Sequence, residues 1–81
     1  MKLDVQVRVR APGYGGVITT LEEALSFIDN HLQAELARLP RWTFAHALLT
    51  EAQRTQKSKD RKAAVRQFRQ ALKNERWFDD A

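Results

Sequence analysis

Lys62, Arg66, Arg69, Lys73 and Arg76 fall at i, +4, +7, +11 and +14. At about 100° per residue on a helix they occupy a band roughly 80° wide, about 120° around from the apolar face of the same segment. A row of cations held on one face is the electrostatic footprint of a surface that binds the phosphate backbone of nucleic acid. An acidic protein would be drawn to it as well. Between residues 54 and 76 nine cations stand against Asp60 and Glu75, a local charge of +7 that leaves −3 on the rest of a chain whose total is +4. Like charges three or four apart each cost about 0.2–0.5 kcal/mol, so four successive pairs cost about 1–2 kcal/mol at low salt. Screening by solvent and salt is the commonest way such a face is tolerated. Glu22, Glu23, Asp29 and Glu35 are available as internal partners, but they scatter around their own helix without forming a matching stripe.

The remaining candidates for chemistry each have a simpler structural role. Gly13-Tyr14-Gly15-Gly16 is the nearest approach to a phosphate loop. A dinucleotide loop must open directly into a helix, so that the pyrophosphate meets the helix N-terminus. Here Val17 to Thr20 intervene and no Gly-Lys-Ser/Thr follows, so a hairpin turn with Tyr14 exposed at its tip is expected. His31 and His46 lie on different predicted helices, at the edges of their apolar stripes. With Glu35 they could bind zinc only if the fold aligned them. Ser26 and Ser58 lack a nucleophile-elbow context. Glu22 and Glu23 are explained by helix capping, and Trp42 and Trp77 by the margin of a core. No catalytic residue, metal site or cofactor is expected, and the chain reads as a non-enzyme.

These side chains need elements to position them. Leu3, Val5, Val7 and Val9 alternate with polar residues, the period of a half-buried strand. Ala11 to Gly16 form a loop of six residues, after which Val17-Ile18-Thr19 return as a second strand. Thr20 with Glu23 three places on is a capping box. Leu21, Leu25, Ile28, Leu32 and Leu36 continue as a helical stripe that ends near Arg38-Leu39, before Pro40. Pro40 suits the first turn of a second helix, whose apolar face is Trp42, Ala45, Leu49 and Ala52, widened by Phe44 and Leu48. The polar link Arg54-Thr55-Gln56-Lys57 lacks the glycine usual in a helix-turn-helix. Ser58 caps a third helix with Asp60 in its first turn, and Ala64, Val65, Phe68, Ala71 and Leu72 form its apolar face. Trp77-Phe78 ends it, with Trp77 turned toward the polar side, and residues 79–81 are expected to fray. The order is β-β-α-α-α, a single small α+β domain over residues 1–81. Its core is expected from Val5, Val7, Val9, Leu21, Leu25, Ile28, Leu32, Trp42, Leu49, Val65, Phe68 and Leu72.

Two of these segments resemble a known group. Val17-Ile18-Thr19-Thr20-Leu21-Glu22-Glu23-Ala24-Leu25 is similar to the strand, cap and Glu-Ala step of short single-domain bacterial proteins common in rhizobial and related alphaproteobacterial genomes, a family of unknown function. Ala64-Val65-Arg66-Gln67-Phe68-Arg69-Gln70-Ala71 is similar to the A-x-x-x-F-x-x-A pattern of that group's last helix. Leu39-Pro40 stands where a Trp-Pro pair is usual. The resemblance implies a hairpin followed by helices and supplies no activity, since none is established for the group.

Length and composition set the outer limits. Eighty-one residues, 43% hydrophobic and 30% charged, make one domain with a radius of gyration of about 12 Å and no room for a large catalytic cleft. The absence of cysteine excludes disulfides and thiolate chemistry. No stretch approaches the roughly 18 apolar residues of a membrane span, and the first residues lack a signal core, so a reducing, cytoplasmic setting is expected. A two-stranded hairpin is marginal and both its strands are edges, with residues 2–10 only partly protected by Lys2, Arg8 and Arg10. A homodimer is therefore expected, by strand pairing or by burial of leftover apolar surface. The chain reads first as a binding domain acting through protein contacts or homodimerisation, and second as a sequence-nonspecific nucleic-acid binder.

Overall fold

Val7, Val9 and Ile18 are buried while Gln6, Arg8, Arg10 and Val17 between them are exposed. That alternation lays one face of a hairpin on the core and leaves the other in water. A computed structural model describes residues 2–78, with side chains from residue 6 onward. The expected placement of Val5 and the fraying of residues 79–81 lie outside them. The elements are β1 (Lys2–Ala11), β2 (Tyr14–Thr20), α1 (Leu21–His31), α2 (Ala34–Ala37), α3 (Pro40–Thr55) and α4 (Ser58–Asn74). A two-stranded antiparallel sheet followed by helices is the expected α+β class, with four helices where three are predicted. Under the sheet, α4 packs on β1 and α1 on β2, and α3 packs against both helices. The radius of gyration is 11.4 Å. Among the described residues no helix is long and apolar enough to cross a membrane.

The hairpin turn is tighter than the predicted six-residue loop. Only Pro12 and Gly13 separate the strands, with Gly13 at φ 78°. Proline followed by a glycine in the left-handed region is what a type II turn requires. Tyr14 consequently lies within the sheet. It is half-buried, with its ring 5.1 Å from Phe27 and 4.7 Å from His31, where an exposed tip residue is predicted.

The helix predicted to run from Thr20 to Leu39 breaks after His31, where Leu32 and Gln33 are extended (ψ 139° and 151°) and a single turn, α2, follows. Asp29-Asn30-His31 are weak helix formers. The buried face of α1 is Leu21, Ala24, Phe27 and Ile28, while Leu25 and Leu32 pack only partly against the core. Phe27 supplies its aromatic centre, with Phe68, Trp42 and Trp77 at 6.0, 6.1 and 6.4 Å. In α3, Trp42, Ala45, Leu49 and Ala52 are buried as the spacing predicts, and Pro40 occupies the first turn. Phe44 points out of the predicted apolar face and is 53% exposed.

Candidate functional site

The basic face stands on α4, so the ends of that helix decide which cations it presents. Gln56 adopts a left-handed conformation (φ 58°) and donates to Ala52 O at 2.8 Å, reversing the chain between α3 and α4. The N-cap of α4 is Lys57, with no side-chain cap, and Ser58 is the first helical residue, so Ser58 does not perform its predicted role. Asp60 in the first turn instead accepts the Thr55 hydroxyl at 2.6 Å, tying the two helices at the reversal. At the other end Arg76 N donates to Lys73 O at 3.0 Å and Trp77 N to Leu72 O at 2.9 Å, the paired bonds of a Schellman motif. Arg76 takes the left-handed position at φ 63° that glycine usually fills.

That reversal removes Arg76 from the predicted stripe. It also turns Trp77 away from the polar side and onto the core, 6.3 Å from Trp42. Lys62, Arg66, Arg69 and Lys73 remain on α4, spanning about 16 Å of helix axis. Lys62, Arg66 and Lys73 are exposed and Arg69 is half-buried. No carboxylate among the described residues lies within 4.0 Å of any of the four.

Several of the described acidic residues are engaged elsewhere. Glu75 Oε2 accepts from Arg41 Nε and Nη2 at 3.1 and 2.9 Å and from Trp42 Nε1 at 3.0 Å. Glu51 pairs with Arg54 in the same helix, with Arg54 Nε at 3.0 Å from Oε2, and this holds the Glu51 carboxyl below the usual carboxylate range. Glu23 Oε1 accepts from Thr19 N at 3.1 Å and from the Thr19 and Thr20 hydroxyls at 2.9 and 3.2 Å, while Glu23 N donates to Thr20 Oγ1 at 3.1 Å. This is the predicted capping box with one difference: its return bond reaches the amide of Thr19. Those bonds, that from the Thr19 amide first, hold the Glu23 carboxyl below its ordinary pKa. Asp29 Oδ1 lies 3.1 Å from His46 Nε2.

Two features of the basic face are absent from its spacing. Arg69 Cζ and Lys73 Nζ lie 5.0 and 5.3 Å from the centre of the Phe78 ring, within cation–π range. Phe78 bridges Val9, and Arg10 N donates to Trp77 O at 2.7 Å, so the chain beyond α4 covers the edge of β1. Arg8 and Arg10 stand on the opposite, solvent face of β1, each with an interaction of its own.

The histidines are not brought together. His31 stacks on Phe27 and lies tilted against Tyr14, whereas His46 meets Asp29 at the rim of a cleft of about 450 Å³ between α1, α2 and α3. Glu35 is exposed on α2, and no group of three or more His, Cys, Asp and Glu suited to a metal ion occurs among the described residues. Compared with known proteins, the chain matches no family model, no curated protein and no solved structure.

Proposed function

We propose that the chain is a small non-enzymatic binding domain whose α4 face lies along the phosphate backbone of nucleic acid. One observation carries this: Lys62, Arg66, Arg69 and Lys73 share a face with no carboxylate of the described residues within 4.0 Å, while Glu23, Asp29, Glu51 and Glu75 are occupied elsewhere. Among the described residues internal pairing, the simplest alternative, does not use the stripe. The Phe78 ring positions Arg69 and Lys73 but leaves their charge intact, because a cation–π contact is not a neutralisation. Lysines and arginines aimed at phosphates fix a protein on a strand without reading its bases, so binding is sequence-blind. The resemblance to the short alphaproteobacterial group rests on residues 17–25 and 64–71 and adds no activity.

Retention of labelled duplex and single-stranded oligonucleotides at about 50 mM salt, before and after the double change Lys62→Glu and Arg66→Glu, tests the proposal. Both positions are exposed, so the circular dichroism spectrum is expected to survive while retention is lost. Failure of the parent to retain either nucleic acid, or retention that the double variant leaves unchanged, overturns it. An acidic protein would then be the partner that the face fits.

A further inference from the structure

Arg10 N donates outward to Trp77 O, so Arg10 faces away from β2, and its cross-strand partner Gly15 faces away from β1 in turn. Antiparallel ladders alternate, which places the N–H and C=O of Val17, opposite Arg8, and of Thr19 on the same outer edge of β2. Thr19 agrees, since its N–H is taken by Glu23 Oε1 at 3.1 Å. The two edges of the sheet are therefore unlike. That of β1 is covered at Val9 and Arg10 by the chain's own Trp77 and Phe78. That of β2 is closed at Thr19 and open at Gly15 and Val17, whose outward groups no backbone bond of the described residues takes up.

β2 also lacks the usual protection of an edge. Tyr14–Thr20 contains no charge and no proline, the devices that keep strands apart, whereas β1 carries Arg8 and Arg10. Val17 is 42% exposed on the solvent face of the sheet. Gly15 is unexplained within the chain: it does not adopt the left-handed region, and a Cβ there would meet nothing within 4 Å. Gly15 pairs with Arg10 in regular register, which excludes a bulge and leaves close approach of another backbone as a role that a strand glycine takes.

We infer that the open edge of β2 pairs with β2 of a second copy, antiparallel about a two-fold axis at Gly16, giving a four-stranded sheet. In that register Gly15 of each copy stands opposite Val17 of the other. The outward N–H and C=O of both residues are all used, in four hydrogen bonds, and Thr19 keeps its bond to Glu23. Each exposed valine lies over the bare backbone of the opposing glycine. Charge favours the same register. The acidic start of α1, Glu22 and Glu23, adjoins the Thr19 end of β2, and the two copies' Thr19 residues stand six strand positions apart. At about 3.3 Å per residue that is roughly 20 Å, twice the Debye length at 0.1 M salt. Each acidic pair instead meets the Tyr14–His31 end of the other copy, and the α1 dipoles run antiparallel. Two open residues per edge make a small interface, so the association is weak, in the micromolar to millimolar range. It is independent of the α4 face, because β2 carries none of that charge.

Sedimentation velocity of the intact chain from about 10 µM to 1 mM is expected to show a monomer–dimer equilibrium. Val17→Lys should leave only monomer with an unchanged circular dichroism spectrum. Because the chain has no cysteine, the register can be read separately by oxidising a mixture of Gly15→Cys and Val17→Cys chains. The mixed pair is directly opposed and should cross-link faster than either variant alone, whose equivalent positions are diagonal at about 7–8 Å, beyond disulfide reach. A single 9.4 kDa species at every concentration overturns the inference. So does a dimer that persists in a folded Val17→Lys chain, or cross-linking no faster in the mixture.

Discussion

Glu75 joins two helices through one oxygen, which accepts both Arg41 nitrogens and the indole N–H of the fully buried Trp42. Glu75→Ala leaves that indole unpaired and is expected to cost about 1–3 kcal/mol in urea denaturation. Glu75→Gln keeps an acceptor in place and should cost less. Equal losses in the two variants would show that the charge, and not the acceptor, is what matters. At the other end of the chain, Glu23 is held below its ordinary pKa by the amide of Thr19 and the two threonine hydroxyls. A depressed folded-state pKa contributes stability that is present above the unfolded-state value and is lost as pH falls through the folded-state value. Glu23→Gln should therefore lower the urea midpoint at neutral pH and make its decline toward acid shallower. A decline unchanged in slope would assign the acid limb to other carboxylates.

Phe68 shows what docks α4, because it is fully buried and meets the rings of Phe27 and Trp42 edge-on at 6.0 and 6.1 Å. Phe68→Ala is expected to cost about 3–5 kcal/mol, comparable with the whole stability of a domain this small. A thermal melt matching the parent would mean that α4 is not held by this face. The element was legible because its apolar and basic residues each repeat at helical spacing, and the hairpin because Val7 and Val9 alternate with arginines. The break after His31 was hidden, since Leu32 and Leu36 continue the apolar period across it. Phe27 lies two positions from Leu25 and was displaced by the leucine stripe. The reversal at Arg76 had no signal, because the left-handed position holds an arginine where glycine would have marked it. The four-cation stripe could thus be read from spacing. The Phe78 ring beneath two of its members, and the Arg41–Glu75 pair across 34 positions, needed the tertiary fold.

At the scale of the molecule, charge is sorted and not balanced. Carboxylates close caps and ion pairs on α1, α3 and the end of α4, while Lys62, Arg66 and Lys73 on the flank of α4 are exposed to solvent. With Arg76 off the stripe, three like-charge steps remain on α4, a cost of about 0.6–1.5 kcal/mol at low salt that a phosphate backbone would remove. The salt dependence of binding measures that exchange directly. Fluorescence anisotropy of a labelled duplex of about 20 base pairs, titrated with the intact chain between about 50 and 200 mM salt, should give log K falling against log salt with a slope of about −3 to −4, the release expected from four neutralised phosphates. Neutralising Lys62 and Arg66 together should bring that slope to about −2. A slope near zero, or one that the two substitutions do not change, would contradict the assignment of α4 as the binding face.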